Sequence, residues 1–202
     1  MCYTFSFLLF SLFSISSFSF FPSLTLTLSP QLTRVNTEIE AMYGMPSLTS
    51  LSLSGNSLIT LPEEIGLLDS LTQLDLSHNR ALTTLTPELG ELENLMTLSI
   101  NNCALHKLPE GLDDYTTCLR DLDLSTNTLT RLHPCIGSIL TLKSLWLTKN
   151  RLVTLPEEIG QLTNLTELYV EENIMTHLPE TMGTMLSLRK LSIKYNRLET
   201  VR

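Results

Sequence analysis

Charged residues are absent from the beginning of this sequence, and the first one is Arg34. Without a basic start, the apolar run LLFSLFSISSFSFF lacks the usual layout of a secretory signal peptide. A membrane anchor needs about 20 mainly apolar residues, and serines interrupt this run throughout. Neither targeting role is therefore well supported by the residues.

Phenylalanine is missing after Phe21, although the chain has 7 phenylalanines. Between Phe5 and Pro30, 23 of 26 residues are Phe, Ser, Leu or Pro. Codons made only of pyrimidines encode these four amino acids, so translation through a polypyrimidine tract would give this composition. Three interpretations stay open: a gene-model artefact, a signal peptide and a membrane anchor. In each, residues 1–36 form a low-complexity leader outside the core, and we expect residues 1–31 to be dispensable for folding.

Cysteines are few and scattered, at Cys2, Cys103, Cys118 and Cys135, with no C-x-x-C pair. A disulfide framework or a zinc site therefore has little support, and a reduced, cytoplasmic setting is favoured. The formal net charge is −8. An acidic surface repels phosphate backbones, so no nucleic-acid partner is expected. Membrane contact is expected only if the leader belongs to the mature protein.

Leucine, by contrast, recurs at a fixed interval. The stretch LKSLWLTKNRLVTLPEEIGQLTN is followed directly by LTELYVEENIMTHLPETMGTMLS. Leucines that open such units stand 23 or 24 residues apart, at Leu48, Leu71, Leu95, Leu119, Leu142, Leu165 and Leu188. The shared pattern is L-x-x-L-x-L-x-x-N-x-L-x-x-L-P-x-x-I-G-x-L, which is typical of leucine-rich repeats. We therefore predict an α/β solenoid over residues 48–202, with about seven repeats, the last of them incomplete.

Each unit predicts its own local structure. The L-x-L core alternates faces as a strand, so its leucines point inward and their neighbours line a concave parallel sheet. An Asn then marks a turn, except in the third unit, where Cys103 stands there instead. On the convex side a Pro fixes the entry to a short helical or 3₁₀ turn, and a Gly releases the chain. The pattern has two departures, the extra Ala81 and the LHPCIG variant of the fourth unit. We expect both to distort the solenoid locally without interrupting it.

Residues 37–47 are interpreted as a degenerate N-terminal edge of the array. Thr37 and Glu40 have the spacing of a helix capping box. Met42 and Met45 precede Leu48 at the distances at which Ile65 and Leu68 precede Leu71. A solenoid needs an atypical end to cover its last apolar face, although a frayed loop would also fit this segment.

The motif L-P-x-x-I-G-x-L resembles the repeat motif of the intracellular Ras-group and Scribble-like leucine-rich repeat proteins. The resemblance covers about 155 residues, those from Leu48 onward. It implies a cytoplasmic adaptor whose concave face holds a protein partner, such as a small GTPase or another signalling protein. The residues that match the motif build the fold, so they do not identify the partner.

Residue patterns that carry catalytic chemistry are not found. His78, His106, His133 and His177 fall at different places in their repeats and share no carboxylate or cysteine spacing. There is no Gly-rich phosphate loop and no G-x-S-x-G elbow, so no enzyme, cofactor or metal site is expected. Three function classes remain: an intracellular interaction scaffold, a secreted or cell-surface recognition protein, and the regulatory repeat region of a larger enzyme.

The residues of the strands that face outward locate a candidate binding site. Those of the early repeats are small and polar, and aromatic side chains appear only later, at Trp146 and Tyr169. Neighbouring parallel strands lie about 4.8 Å apart, so these two should be side by side. The predicted partner-binding set adds the charged residues Asp121, Asp123, Glu167, Glu171, Lys190 and Lys194. An exposed aromatic pair among charges is typical of a binding hot spot, whereas the alternative is that Trp146 merely lies flat over its neighbours.

Overall fold

The computed structural model describes residues 24–27, 32–33, 46, 48–109 and 118–199. Several sequence predictions lie outside these residues. They concern the leader before residue 24, the capping box of Thr37 and Glu40, the convex turn that follows Pro109, and the end of the last repeat at residues 200–202.

One strand from each repeat enters a single parallel sheet of eight strands, ordered as in the sequence. The strands are β1 Leu24–Thr27, β2 Leu48–Ser52, β3 Gln73–Asp75, β4 Thr97–Ser99, β5 Asp121–Asp123, β6 Ser144–Trp146, β7 Glu167–Tyr169 and β8 Lys190–Ser192. Since every strand pairs with the next one along the chain, the array is the predicted solenoid and the predicted α/β class is confirmed.

Strands β2 to β7 each contribute one leucine that points away from the concave face into the core. In the register, Leu51, Leu74, Leu98, Leu122, Leu145 and Leu168 follow one another across the sheet, and each is at most 1% exposed. Leu191 continues this row in β8 but is 41% exposed. Strand β8 is the last one that the structure describes, so Leu191 has a neighbouring repeat on one side only.

The convex side consists of short 3₁₀ helices, at Glu63–Leu67, Pro87–Glu91, Pro134–Ser138, Glu157–Gln161 and Glu180–Thr184. The prediction that glycines release the chain from these turns is wrong, because Gly66, Gly137 and Gly160 lie inside the helices. Their role is close packing. A Cβ placed on Gly160 would lie 2.6 Å from the carbonyl oxygen of Thr181 in the next repeat. Gly183, in the last described turn, meets nothing within 4 Å.

Turn asparagines join each repeat to the one before it. The Asn150 amide donates to the carbonyls of Leu147, in its own repeat, and Leu124, in the preceding one, at 3.1 and 2.9 Å. Its Oδ1 accepts the backbone N–H of Leu129 at 3.1 Å. Equivalent contacts are made by Asn56, Asn79, Asn127, Asn173 and Asn196. These side chains therefore satisfy backbone groups that the tight turns would leave unpaired, as predicted.

The two departures from the repeat pattern leave the sheet unbroken, as expected. Strands β3 to β6, which border both departures, keep the same register as the rest, with Leu74, Leu98, Leu122 and Leu145 aligned. Cys103 occupies the asparagine position and donates its thiol to the Leu76 carbonyl at 3.4 Å.

The boundary predicted for the leader is too late in the chain. Strand β1 pairs with β2 through Leu26 and Leu51, so residues 24–27 belong to the sheet. Leu32 packs against the core, and its backbone N–H donates to Asn56 Oδ1 at 3.0 Å. The expectation that residues 1–36 stay outside the core is therefore contradicted for these positions. The alternation of Leu24, Leu26 and Leu28 is a strand signal that the biased composition concealed.

Candidate functional site

Two rows of side chains cross the C-terminal half of the concave face, one on each side of the buried leucines. The first row is Thr97, Asp121, Ser144, Glu167 and Lys190, and the second is Ser99, Asp123, Trp146, Tyr169 and Ser192. All of these residues are at least partly exposed. The strand register thus brings six of the eight predicted binding residues onto one continuous surface.

Trp146 and Tyr169 stand in register on β6 and β7, and their rings stack. The ring centroids are 6.0 Å apart and the planes differ by 3°. This distance is within the range of about 4.5–7 Å favoured by aromatic pairs. The predicted neighbourhood of the two rings is confirmed. Trp146 is stacked on its neighbour and still partly exposed, so an aromatic surface remains available on the concave face.

Glu167 holds the tyrosine in place from the adjacent row. The Tyr169 hydroxyl donates to Glu167 Oε2 at 2.8 Å, and Lys190 Nζ lies 2.8 Å from Oε1 of the same carboxylate. These hydrogen bonds, that from Lys190 foremost, lower the pKa of Glu167. The same contacts raise the pKa values of Tyr169 and Lys190. At neutral pH each of the three groups therefore keeps one charge state, and the hydrogen bond to Glu167 holds the phenol ring in the stack.

Asp121 and Asp123 flank the other side of Trp146, on β5. Two donors orient Asp123, namely Asn101 Nδ2 at 3.0 Å and the backbone N–H of Ser125 at 2.9 Å. In the part of the chain that the structure describes, ion pairs join Lys190 to Glu167 and Lys149 to Glu172, and neither aspartate takes part in one. Two carboxylates without a described ion pair therefore lie on this side of the tryptophan.

A shallow depression of about 290 Å³ lies between the aspartates and the tryptophan. Its walls are Thr97, Leu98, Ser99, Asp121, Asp123 and Trp146. The sequence prediction did not include Thr97 and Ser99. Both side chains are small, whereas the side chain of Trp146, two strands away, is large. This difference in size lowers the surface next to the indole. That contrast in size along one row could have been found in the sequence.

The two remaining predicted residues lie just beyond the strands. Glu171 accepts a hydrogen bond from the Ser192 hydroxyl and is partly buried. Lys194 is exposed, and among the described residues it forms no ion pair. Ser77 stands at the position in its repeat that Glu171 and Lys194 occupy in theirs, but it is only 4% exposed. The outer row is therefore less regular than the two rows on the strands.

The histidines and cysteines do not converge. His78 Nδ1 lies 2.7 Å from the Asn102 amide, and His133 accepts the backbone N–H of Cys135 as a helix cap. Burial raises the pKa of the Cys103 thiol to about 11, so it stays protonated at neutral pH. Within residues 48–109 and 118–199, no group of three His, Cys, Asp or Glu side chains is placed to hold a metal ion. In the same ranges, no helix is long and apolar enough to cross a bilayer.

Comparison with known proteins agrees with this architecture. A family model described as leucine rich repeat matches residues 23–80 and 141–198, which is more than half of the chain. The chain belongs to the leucine-rich repeat family. A second leucine-rich repeat model matches residues 70–92. The first match begins at residue 23, so it includes strand β1 and supports the correction of the leader boundary.

Solved leucine-rich repeat structures share the fold. A leucine-rich repeat protein of Leptospira interrogans superimposes with a TM-score of 0.81 at 34% identity, over 88% of this chain and 44% of that one. The leucine-rich repeat ectodomain of a plant membrane receptor kinase from Arabidopsis thaliana, solved in complex with Casparian strip integrity factor 2, gives a TM-score of 0.60 at 25% identity. It is matched over 87% of this chain and 24% of that one.

Among curated proteins, leucine-rich repeat serine/threonine-protein kinase 1 of Caenorhabditis elegans is 32% identical over 74 residues. That match covers 37% of this chain and 3% of the kinase. The chain thus spans only a small part of this relative's length. Repeat arrays of this kind typically serve as protein-interaction modules, presenting an extended concave surface.

Proposed function

We propose that this chain is a non-catalytic scaffold or adaptor that captures a protein partner on the concave face of its C-terminal repeats. The observation that carries the proposal is the stacked, partly exposed pair of Trp146 and Tyr169. Tryptophan and tyrosine are enriched among the residues that supply most of the energy of protein interfaces. Here they are already ordered, so little side-chain entropy remains to be lost on binding.

The surrounding charges support the same surface. Asp121 and Asp123 lie on β5, beside Trp146. Glu167 and Glu171 belong to the same repeat as Tyr169, and Lys190 and Lys194 belong to the next repeat. A central aromatic patch with a charged, hydrated rim has the usual composition of a transient interface. The rim sets orientation and association rate more than affinity.

The cellular setting is a finer part of the proposal. The repeat motif resembles that of the Ras-group and Scribble-like class. This resemblance favours a cytoplasmic signalling role, with a small GTPase or another signalling protein as partner. The buried Cys103 thiol is not part of a disulfide, which fits a reducing compartment. A plant receptor ectodomain with the same fold is solved with a bound factor, which supports partner binding by such arrays in general.

A second candidate is supported by the match to a serine/threonine-protein kinase. In this reading the array is the regulatory repeat region of a larger signalling enzyme. The concave surface would have the same role, but its partner would control catalysis elsewhere. A full-length transcript of the gene distinguishes the two, since the second requires a kinase or other catalytic domain in the same reading frame.

Affinity capture with matched variants tests the proposal. Full-length chain, the double variant Trp146→Ala/Tyr169→Ala and the control Ser52→Ala are each used to capture proteins from an extract of the source cells. We expect proteins that the unchanged chain and Ser52→Ala retain equally and that the double variant loses. Retention of every captured protein by the double variant, at an unchanged unfolding midpoint, would place binding elsewhere.

A further inference from the structure

The depression beside Trp146 has a chemistry of its own. It lies between β4, β5 and β6, and Tyr169 covers the indole from the β7 side. The side of the ring toward β5 therefore borders the depression, together with Asp121 and Asp123. An aromatic wall next to two carboxylates is an arrangement that attracts a cation.

Among the described residues, no cationic side chain forms an ion pair with its carboxylates. The described ion pairs, Lys149 with Glu172 and Lys190 with Glu167, leave both aspartates without a cationic partner. Asp123 is oriented by neutral donors, Asn101 and the Ser125 backbone, which preserve its negative charge. A positively charged group from outside would therefore complete the depression.

The size of the depression points to a single side chain. Its volume of about 290 Å³ lies at the lower limit of small-ligand pockets, which span about 300–1,000 Å³, and it opens onto the concave face. A guanidinium group can stack on an indole and give forked hydrogen bonds to carboxylates at the same time. An ammonium group offers the charge without the planar fork.

We propose that the partner inserts an arginine side chain into this depression, stacked on Trp146 and hydrogen-bonded to Asp121 and Asp123. This inference rests on the proposed function, because it names the group through which the partner engages the aromatic surface. Tyr169 and Glu167 act as positioning residues, since they hold the indole from its other side.

Phage-displayed random peptides are the probe for this site. Clones are selected on the full-length chain, and those that also bind Trp146→Ala/Tyr169→Ala are discarded. We expect the retained clones to share an arginine, and its replacement by glutamine in synthetic peptides to weaken binding about tenfold or more. On the variant Asp121→Asn/Asp123→Asn, which removes both charges with little change in size, the arginine and glutamine peptides should bind nearly alike.

The possible outcomes separate the two proposals. Clones that depend on the aromatic pair but carry no required basic residue would overturn the arginine inference and leave the proposed function standing. An arginine preference that survives in Asp121→Asn/Asp123→Asn would also overturn it, because the cation would then be recognised elsewhere. A selection that gives no clone dependent on Trp146 and Tyr169 would contradict the proposed function together with the inference. The unfolding midpoint of each variant shows whether it is folded.

Discussion

The backbone N–H of Leu82 donates to the carbonyl of Asn79 in its own repeat, at 2.9 Å. In other repeats the equivalent backbone N–H donates instead to the side-chain oxygen of the turn asparagine in the following repeat. The N–H of Leu58, for example, donates to Asn79 Oδ1. The following repeat here offers Cys103, whose thiol is a weak acceptor. The extra Ala81 lets the chain curl back and satisfy Leu82 locally. The insertion and the cysteine are therefore one linked feature.

This linkage predicts non-additive mutations. Deletion of Ala81 should remove the local bond and leave the buried Leu82 N–H without an acceptor, at a cost of about 1–3 kcal/mol. Adding Cys103→Asn to that deletion should restore much of the loss, since the amide oxygen can then accept Leu82. Cys103→Asn alone should change the free energy of unfolding only slightly. Denaturant unfolding of the four chains measures the coupling, and purely additive effects would disprove the linkage.

The asparagine ladder gives a second prediction. Asn150 is 8% exposed and bridges two repeats, so Asn150→Ala should destabilise the protein by about 1–3 kcal/mol. Asn196 makes similar bonds at the last described turn but is more exposed, so its partners can bond to water instead. Asn196→Ala should therefore cost less. Equal losses in urea titrations would count against this explanation.

The glycines of the convex side offer a matched pair. Gly160→Ala would force a Cβ against the backbone of Thr181, and we expect a loss of about 1–3 kcal/mol. Gly183→Ala occurs at the same place in the next repeat, where nothing lies within 4 Å, and should be neutral or slightly stabilising. If thermal unfolding shows both changes to be equally harmful, backbone conformation and not close packing would explain the glycines.

Removal of residues 1–31 should destabilise the chain. The truncation deletes β1 and exposes the hydrogen-bonding edge of β2. We expect a lower unfolding midpoint, with loss of amide-exchange protection concentrated in β2. Removal of residues 1–22 alone, which keeps β1, is the control. An unchanged midpoint for both would restore the view that the segment is dispensable.

Much of this structure could be predicted from residue spacing. Periodic leucines and turn asparagines determined the fold and the strand register, and the register alone placed Trp146 beside Tyr169. The glycine role was misjudged because it depends on a contact between repeats, which a pattern within one repeat does not show. The depression was missed because the contrast between small and large side chains must be compared across three repeats. It results from small side chains on β4, aspartates on β5 and an indole on β6, and its form depends on rotamers and stacking.

The central claim is that the concave surface around Trp146 binds a protein partner. Trp146 is the only tryptophan of the chain, so its fluorescence reports on this surface alone. A selected or captured ligand is titrated into the full-length chain while tryptophan emission and, separately, heat of binding are recorded. We expect a saturable change in emission that gives the same Kd as calorimetry. Binding detected by heat with no change in Trp146 emission would contradict it.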